Sequence, residues 1–99
     1  MSAALYDIDY RHATITEHRG RDTCVGRVVR VEPDMQAGLI TLWWSGPRGN
    51  LRRAVLVFAD WDIEYRDGQA VFQKAANPQP NYHGHATPNV TGYMIALAP

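Results

Sequence analysis

Ninety-nine residues and 11.1 kDa make one domain, and surface scaling lets roughly 65% of the chain's surface be buried, so a single core needs no staples. Ten basic residues balance ten acidic ones, which implies no bulk electrostatic partner. The single Cys24 excludes an internal disulfide framework and a cysteine-based zinc cluster, no apolar run approaches the ~20 residues of a membrane span, and the start Met1-Ser2-Ala3-Ala4-Leu5 has neither the basic nor the apolar region of a signal peptide, so a cytoplasmic location is expected.

Period-2 alternation and turn residues run through the chain, and apolar residues at helical spacing are absent, so essentially no helix is expected. Tyr6, Ile8 and Tyr10 alternate with Asp7, Asp9 and Arg11 as a half-buried strand or its approach. The parity then changes, with Ala13 and Ile15 as the apolar positions, which places a bulge or turn near Arg11-His12. After the polar connection Gly20-Arg21-Asp22, Val25, Val29 and Val31 fall on one face of the next strand and Val28 on the other. Glu32-Pro33-Asp34 opens a connection that ends at Gly38, with Pro setting up the turn.

Leu39 to Trp44 is apolar on both faces, as in a central strand. Ser45 to Asn50 is the clearest turn, and Leu51 to Ala59 returns as a strand. Trp61, Ile63 and Tyr65 alternate with Asp62 and Glu64. Arg66-Asp67-Gly68 closes a hairpin onto Ala70 to Phe72, with Gly68 at a left-handed position. Residues 74–90 form one long loop with three Pro, three Asn and two His and no periodicity, and Thr91, Tyr93, Ile95 and Leu97 alternate in a last strand. This is the pattern of an all-β single domain over residues 1–99, a barrel or sandwich of about six to seven antiparallel strands, in the size range of SH3-like and OB-like barrels.

Four features carry candidate chemistry. Long loops in compact domains are often functional, and Tyr82-His83-Gly84-His85 lies in the middle of this one. Two imidazoles at i and i+2 of an extended segment point the same way and hold a transition metal if a third ligand such as His12 approaches. His12-Ala13-Thr14-Ile15 and His85-Ala86-Thr87-Pro88 repeat a His-x-Thr tetrapeptide. Those eight positions resemble the paired motifs of two-histidine phosphoesterases, and the resemblance implies His12 and His85 as acid and base with Thr14 and Thr87 holding phosphate.

Trp43-Trp44 with Arg48, Arg52 and Arg53 is the third feature. Adjacent strand residues face opposite sides. Trp44 shares parity with Ile40 and Leu42 and belongs inside, which leaves Trp43 on the outside. Arg52 shares parity with Ala54, Leu56 and Phe58, and Arg53 with Val55 and Val57. Trp, Tyr and Arg are enriched at protein-binding hot spots, and the same residue types stack bases and hold phosphates. The acidic row Asp60, Asp62 and Glu64 reads as a solvated outer face, and Cys24 as a buried inert thiol.

The expectation is therefore a small β-domain that works by binding, an accessory or inhibitor module. Its partner is another protein or a second copy in a homodimer. Contacts run through Trp43, Arg48, Arg52 and Arg53 and through Tyr82, His83 and His85, with no cofactor, no metal and no membrane. The first alternative is a small His-dependent enzyme or metal-binding protein using His12, Thr14, His85 and Thr87, or His12, His83 and His85 around a transition metal. The second is a single-stranded nucleic-acid binder, which the zero net charge disfavours.

Overall fold

A computed structural model describes residues 4–74 and 90–98. They form one antiparallel sheet of seven strands: β1 (Thr14–Arg19), β2 (Asp22–Asp34), β3 (Leu39–Ser45), β4 (Leu51–Val57), β5 (Trp61–Arg66), β6 (Gln69–Lys74) and β7 (Gly92–Ala96). The order across the sheet is β4-β3-β2-β1-β7-β6-β5. The last strand thus lies in the interior, paired to β1 on one side and β6 on the other. The sheet is all-β as expected, but it does not close: β4 and β5 are its two edges.

Those edges are consecutive in sequence, joined by a 3-10 turn over Phe58–Asp60. Counting reversals across the sheet order, β4 and β5 run in the same sense, so this connection is a corner and not a hairpin. Buried Phe58 anchors it, and the Phe58 N–H donates to the Gly38 carbonyl at 3.0 Å. The tight β5–β6 turn follows the expected chemistry: Asp67 and Gly68 take φ of 53° and 75°, the pair of left-handed residues that a two-residue hairpin needs.

The inner face carries the core. Ala13, Ile15, Val28, Leu42, Trp44, Ala54, Leu56, Phe72, Tyr93 and Ile95 belong to one cluster, and each large apolar side chain buried there contributes about 1.5–3 kcal/mol. Val28 faces Trp44 and Ile15 faces Ile95 across strand pairs. On the far side, Trp61 meets Tyr93 edge-on at 5.5 Å.

Three local expectations need correction. Residues Ala4–Asp7 form one helical turn, not the start of a strand. Alternation at Tyr6, Ile8 and Tyr10 instead reflects side chains packed on the core from a crossing segment, with the Tyr10 hydroxyl donating to the Leu5 carbonyl at 2.9 Å. The strand β2 runs on through Pro33 to Asp34, paired to Ile40 and Leu39, and the turn is Met35 to Gly38. Finally, Val31 does not share a face with Val25 and Val29. The register shifts between Val28 and Arg30, a β-bulge that returns Val31 to the core side while Val25 and Val29 stay exposed. The parity change at Arg11-His12 is confirmed as a turn, with His12 at φ 63°.

Candidate functional site

The two tryptophans separate as parity requires. Trp44 is fully buried and Trp43 is half-buried on the outer face of β3. Their partners on β4 separate with them, since Trp44 pairs with Arg52 and Trp43 with Arg53. Each guanidinium lies over its indole, Arg52 at 5.4 Å from the Trp44 ring centre and Arg53 at 5.6 Å from that of Trp43. Such contacts contribute about 0.5–1 kcal/mol at exposed sites and more when desolvated.

The outer patch builds on Trp43. Its indole N–H donates to Glu32 on β2, and Glu32 also accepts from Arg30 at 3.4 Å. Two apolar side chains are exposed on the neighbouring strands, Val29 in the bulge and Leu51 at the start of β4. Around the indole, Arg27, Arg30, Arg48 and Arg53 are all exposed, against the one carboxylate of Glu32. Arg48 occupies the β3–β4 turn and Arg27 pairs with Ser45 beside it.

An inner cleft opens around Arg52. It has a volume of about 450 Å³ and is lined by Glu17, Arg19, Thr23, Cys24, Arg52 and Arg53, with Asp22 beside Arg19. Glu17 continues the inward positions of Ala13 and Ile15 on β1, so a carboxylate stands where the pattern calls for an apolar side chain. Only 4% of that side chain is exposed. Two guanidiniums offset the desolvation: Arg19 Nε donates to Glu17 Oε1 at 2.8 Å and Arg52 Nη1 donates to the same oxygen at 3.3 Å. The hydrogen bond to Glu17, and then the charge of that carboxylate, raises the Arg19 pKa. Gly26 clears the space beside the cleft, because a Cβ there would lie 2.0 Å from the Ser45 carbonyl oxygen and 2.5 Å from the Trp44 ring.

Of the sequence-predicted residues, Trp43 and Arg53 are brought together on the outer face, Arg52 is turned to the other face against Trp44 and so leaves that surface, and Arg48 is placed in the adjoining turn. His12 and Thr14 are exposed at the turn before β1 and at its first residue. Tyr82, His83, His85 and Thr87 lie outside the described residues. No group of three or more His, Cys, Asp or Glu able to hold a metal occurs among the described residues, and no helix among them is long and apolar enough to cross a membrane. The acidic row keeps Asp62 and Glu64 exposed on β5, with Arg66 3.3 Å from Glu64. Cys24 is half-buried, packed against the core and lining the cleft, rather than fully buried.

Sequence reasoning missed Glu17 and Arg19 in the cleft and Glu32, Arg27 and Arg30 around Trp43. Parity with Ile15 is the one signal that places Glu17 inside, and its partner Arg52 lies 35 positions away. No protein-family model, curated protein or solved structure matches the chain.

Proposed function

We propose that this protein is a binding module, an accessory or inhibitory domain, that docks an acidic surface of another protein on the outer face of β2, β3 and β4. The observation that carries the reading is Trp43: a half-buried indole fixed by Glu32 and by stacked Arg53, with exposed Val29 and Leu51 beside it. A rigid aromatic flanked by guanidinium and small apolar groups is the composition of an interface hot spot. Held in place before binding, it loses little side-chain entropy on docking.

Charge supports the choice of partner. Four exposed arginines surround the indole and one glutamate opposes them. A second copy docking face to face would set this net-positive patch against itself, which costs rather than gains. An acidic partner gains on every pair.

Affinity capture from the source cells tests this, with Trp43→Ala and Arg53→Glu as site variants and Tyr65→Ala as an exposed control on β5. The expected result is an acidic protein that both site variants lose, the control keeps and salt releases. Retention by both site variants, a basic partner, or a self-dimer broken by Trp43→Ala would each overturn the reading.

A further inference from the structure

The cleft around Glu17 has a chemistry that protein docking on the outer face does not use. Three guanidiniums, of Arg19, Arg52 and Arg53, border one space of about 450 Å³, within the range of small-molecule sites. Each is held from behind. Arg19 is bound through Nε and Arg52 through Nη1 to the same Glu17 oxygen, while the faces of Arg52 and Arg53 rest on Trp44 and Trp43. One nitrogen of Arg19 and one of Arg52 are thereby used, and the rest of each planar fork remains for a ligand.

The charge count points the same way. Glu17, with 4% of its side chain exposed, is consumed in holding the two forks. Arg53 has no ion-pair partner among the described residues. With Asp22 as the second carboxylate of the lining, three arginines face two carboxylates, so the cleft keeps one net positive charge and N–H donors already aligned, an arrangement that binds an anion with several acceptor oxygens. A phosphate group supplies about −1.5 to −2 charges and three such oxygens. The remaining volume admits an organic body, and Asp22 and Thr23 offer an acceptor and a hydroxyl to its polar groups.

We infer that the cleft is a binding site for the phosphate of a small, polar phosphomonoester, gripped by Arg19, Arg52 and Arg53 with Glu17 as the buried anchor that sets the first two. The Arg19–Glu17–Arg52 contacts do not involve the outer face, but Arg53 is shared with the docking surface, so Arg19 and Arg52 are the residues that separate this site from the Trp43 reading.

The test is a ¹H–¹⁵N NMR titration of the full chain with glycerol 2-phosphate and with inorganic phosphate, against sodium chloride and sodium acetate at matched ionic strength. Saturable shifts are expected at the amides of Glu17, Arg19, Thr23, Cys24, Arg52 and Arg53, tighter for glycerol 2-phosphate than for inorganic phosphate. Arg19→Gln and Arg52→Gln should each weaken binding by about tenfold or more, the loss of one charge-assisted contact, and Tyr65→Ala, exposed on β5 away from the cleft, should retain it. The wild-type titration decides even if a variant fails to fold. Four outcomes would overturn the inference: no saturable shift up to tens of millimolar, the same shifts with chloride, acetate binding as tightly as phosphate, or shifts gathered on Arg27, Arg30 and Arg48 instead.

Discussion

Arg52 and Glu17 stand three strands apart in the sheet, on β4 and β1, and yet Arg52 Nη1 lies 3.3 Å from Glu17 Oε1. In a flat sheet those strands would be about 14 Å apart. The contact therefore records how far β1 to β4 curl. That curl is what turns a row of inward side chains into a cleft, and Gly26 permits it by leaving no Cβ between β2 and Trp44.

The stability of this corner should depend on the carboxylate. Removing one member of a fully buried ion pair costs about 3–5 kcal/mol. Here Arg19 and Arg52 retain 47% and 36% side-chain exposure and can turn to water, so Glu17→Gln should cost less, about 1–3 kcal/mol. Urea unfolding of Glu17→Gln, Arg52→Gln and the double variant should show coupling of about 1 kcal/mol. Strict additivity would mean that the contact contributes nothing.

Gly26 should tolerate no side chain. A Cβ would sit 2.0 Å from the Ser45 backbone oxygen, which cannot swing aside as a side chain can. Gly26→Ala should destabilise by about 3 kcal/mol, the upper part of the usual overpacking range. An unchanged urea midpoint would refute the close β2–β3 approach.

Alkaline pH should weaken the fold through Tyr10. Burial, and then the charge of Tyr65, pushes its phenol from 10.0 up to about 12. A raised pKa means the folded state favours the neutral phenol. Its contribution is complete below pH 10 and is lost as pH rises through about 12. Absorbance titration of phenolate should show a late component that Tyr10→Phe diminishes, and a late component unchanged by Tyr10→Phe would contradict this.

At the acid end, Asp9 should titrate early. Its hydrogen bonds to the Arg11 side chain and backbone hold it at about 2, against an ordinary 3.8. A depressed pKa favours the folded state above 3.8, and that preference disappears as pH falls through about 2. NMR titration of the Asp9 carboxyl should show the low midpoint, and Arg11→Ala should return it toward the ordinary value.

Much of the architecture is legible in the residues because burial follows parity. Trp44 inside and Trp43 outside, Arg52 inward and Arg53 outward, and the Asp67-Gly68 hairpin all follow from period-2 counting and turn chemistry. The bulge at Val29 carries no Gly or Pro to announce it, so Val31 reads on the wrong face. The one-turn helix at Ala4–Asp7 is too short for any periodicity. Strand order is not written in periodicity either, and so the interior place of β7 and the corner at Phe58 emerge only in three dimensions. Glu17 is the instructive case. In Thr14–Arg19 it reads as one more solvated charge, and only the curl that delivers Arg52 gives it a partner.

The docking role of the outer face rests on Trp43, and one affinity comparison tests it most directly. Calorimetric titration of the acidic partner captured on this face, with wild-type protein and with Trp43→Ala, should give at least about a 30-fold weaker Kd for the variant, the effect of a hot spot of about 2 kcal/mol. Equal affinities, with both proteins folded, would contradict the account and move the interface away from Trp43.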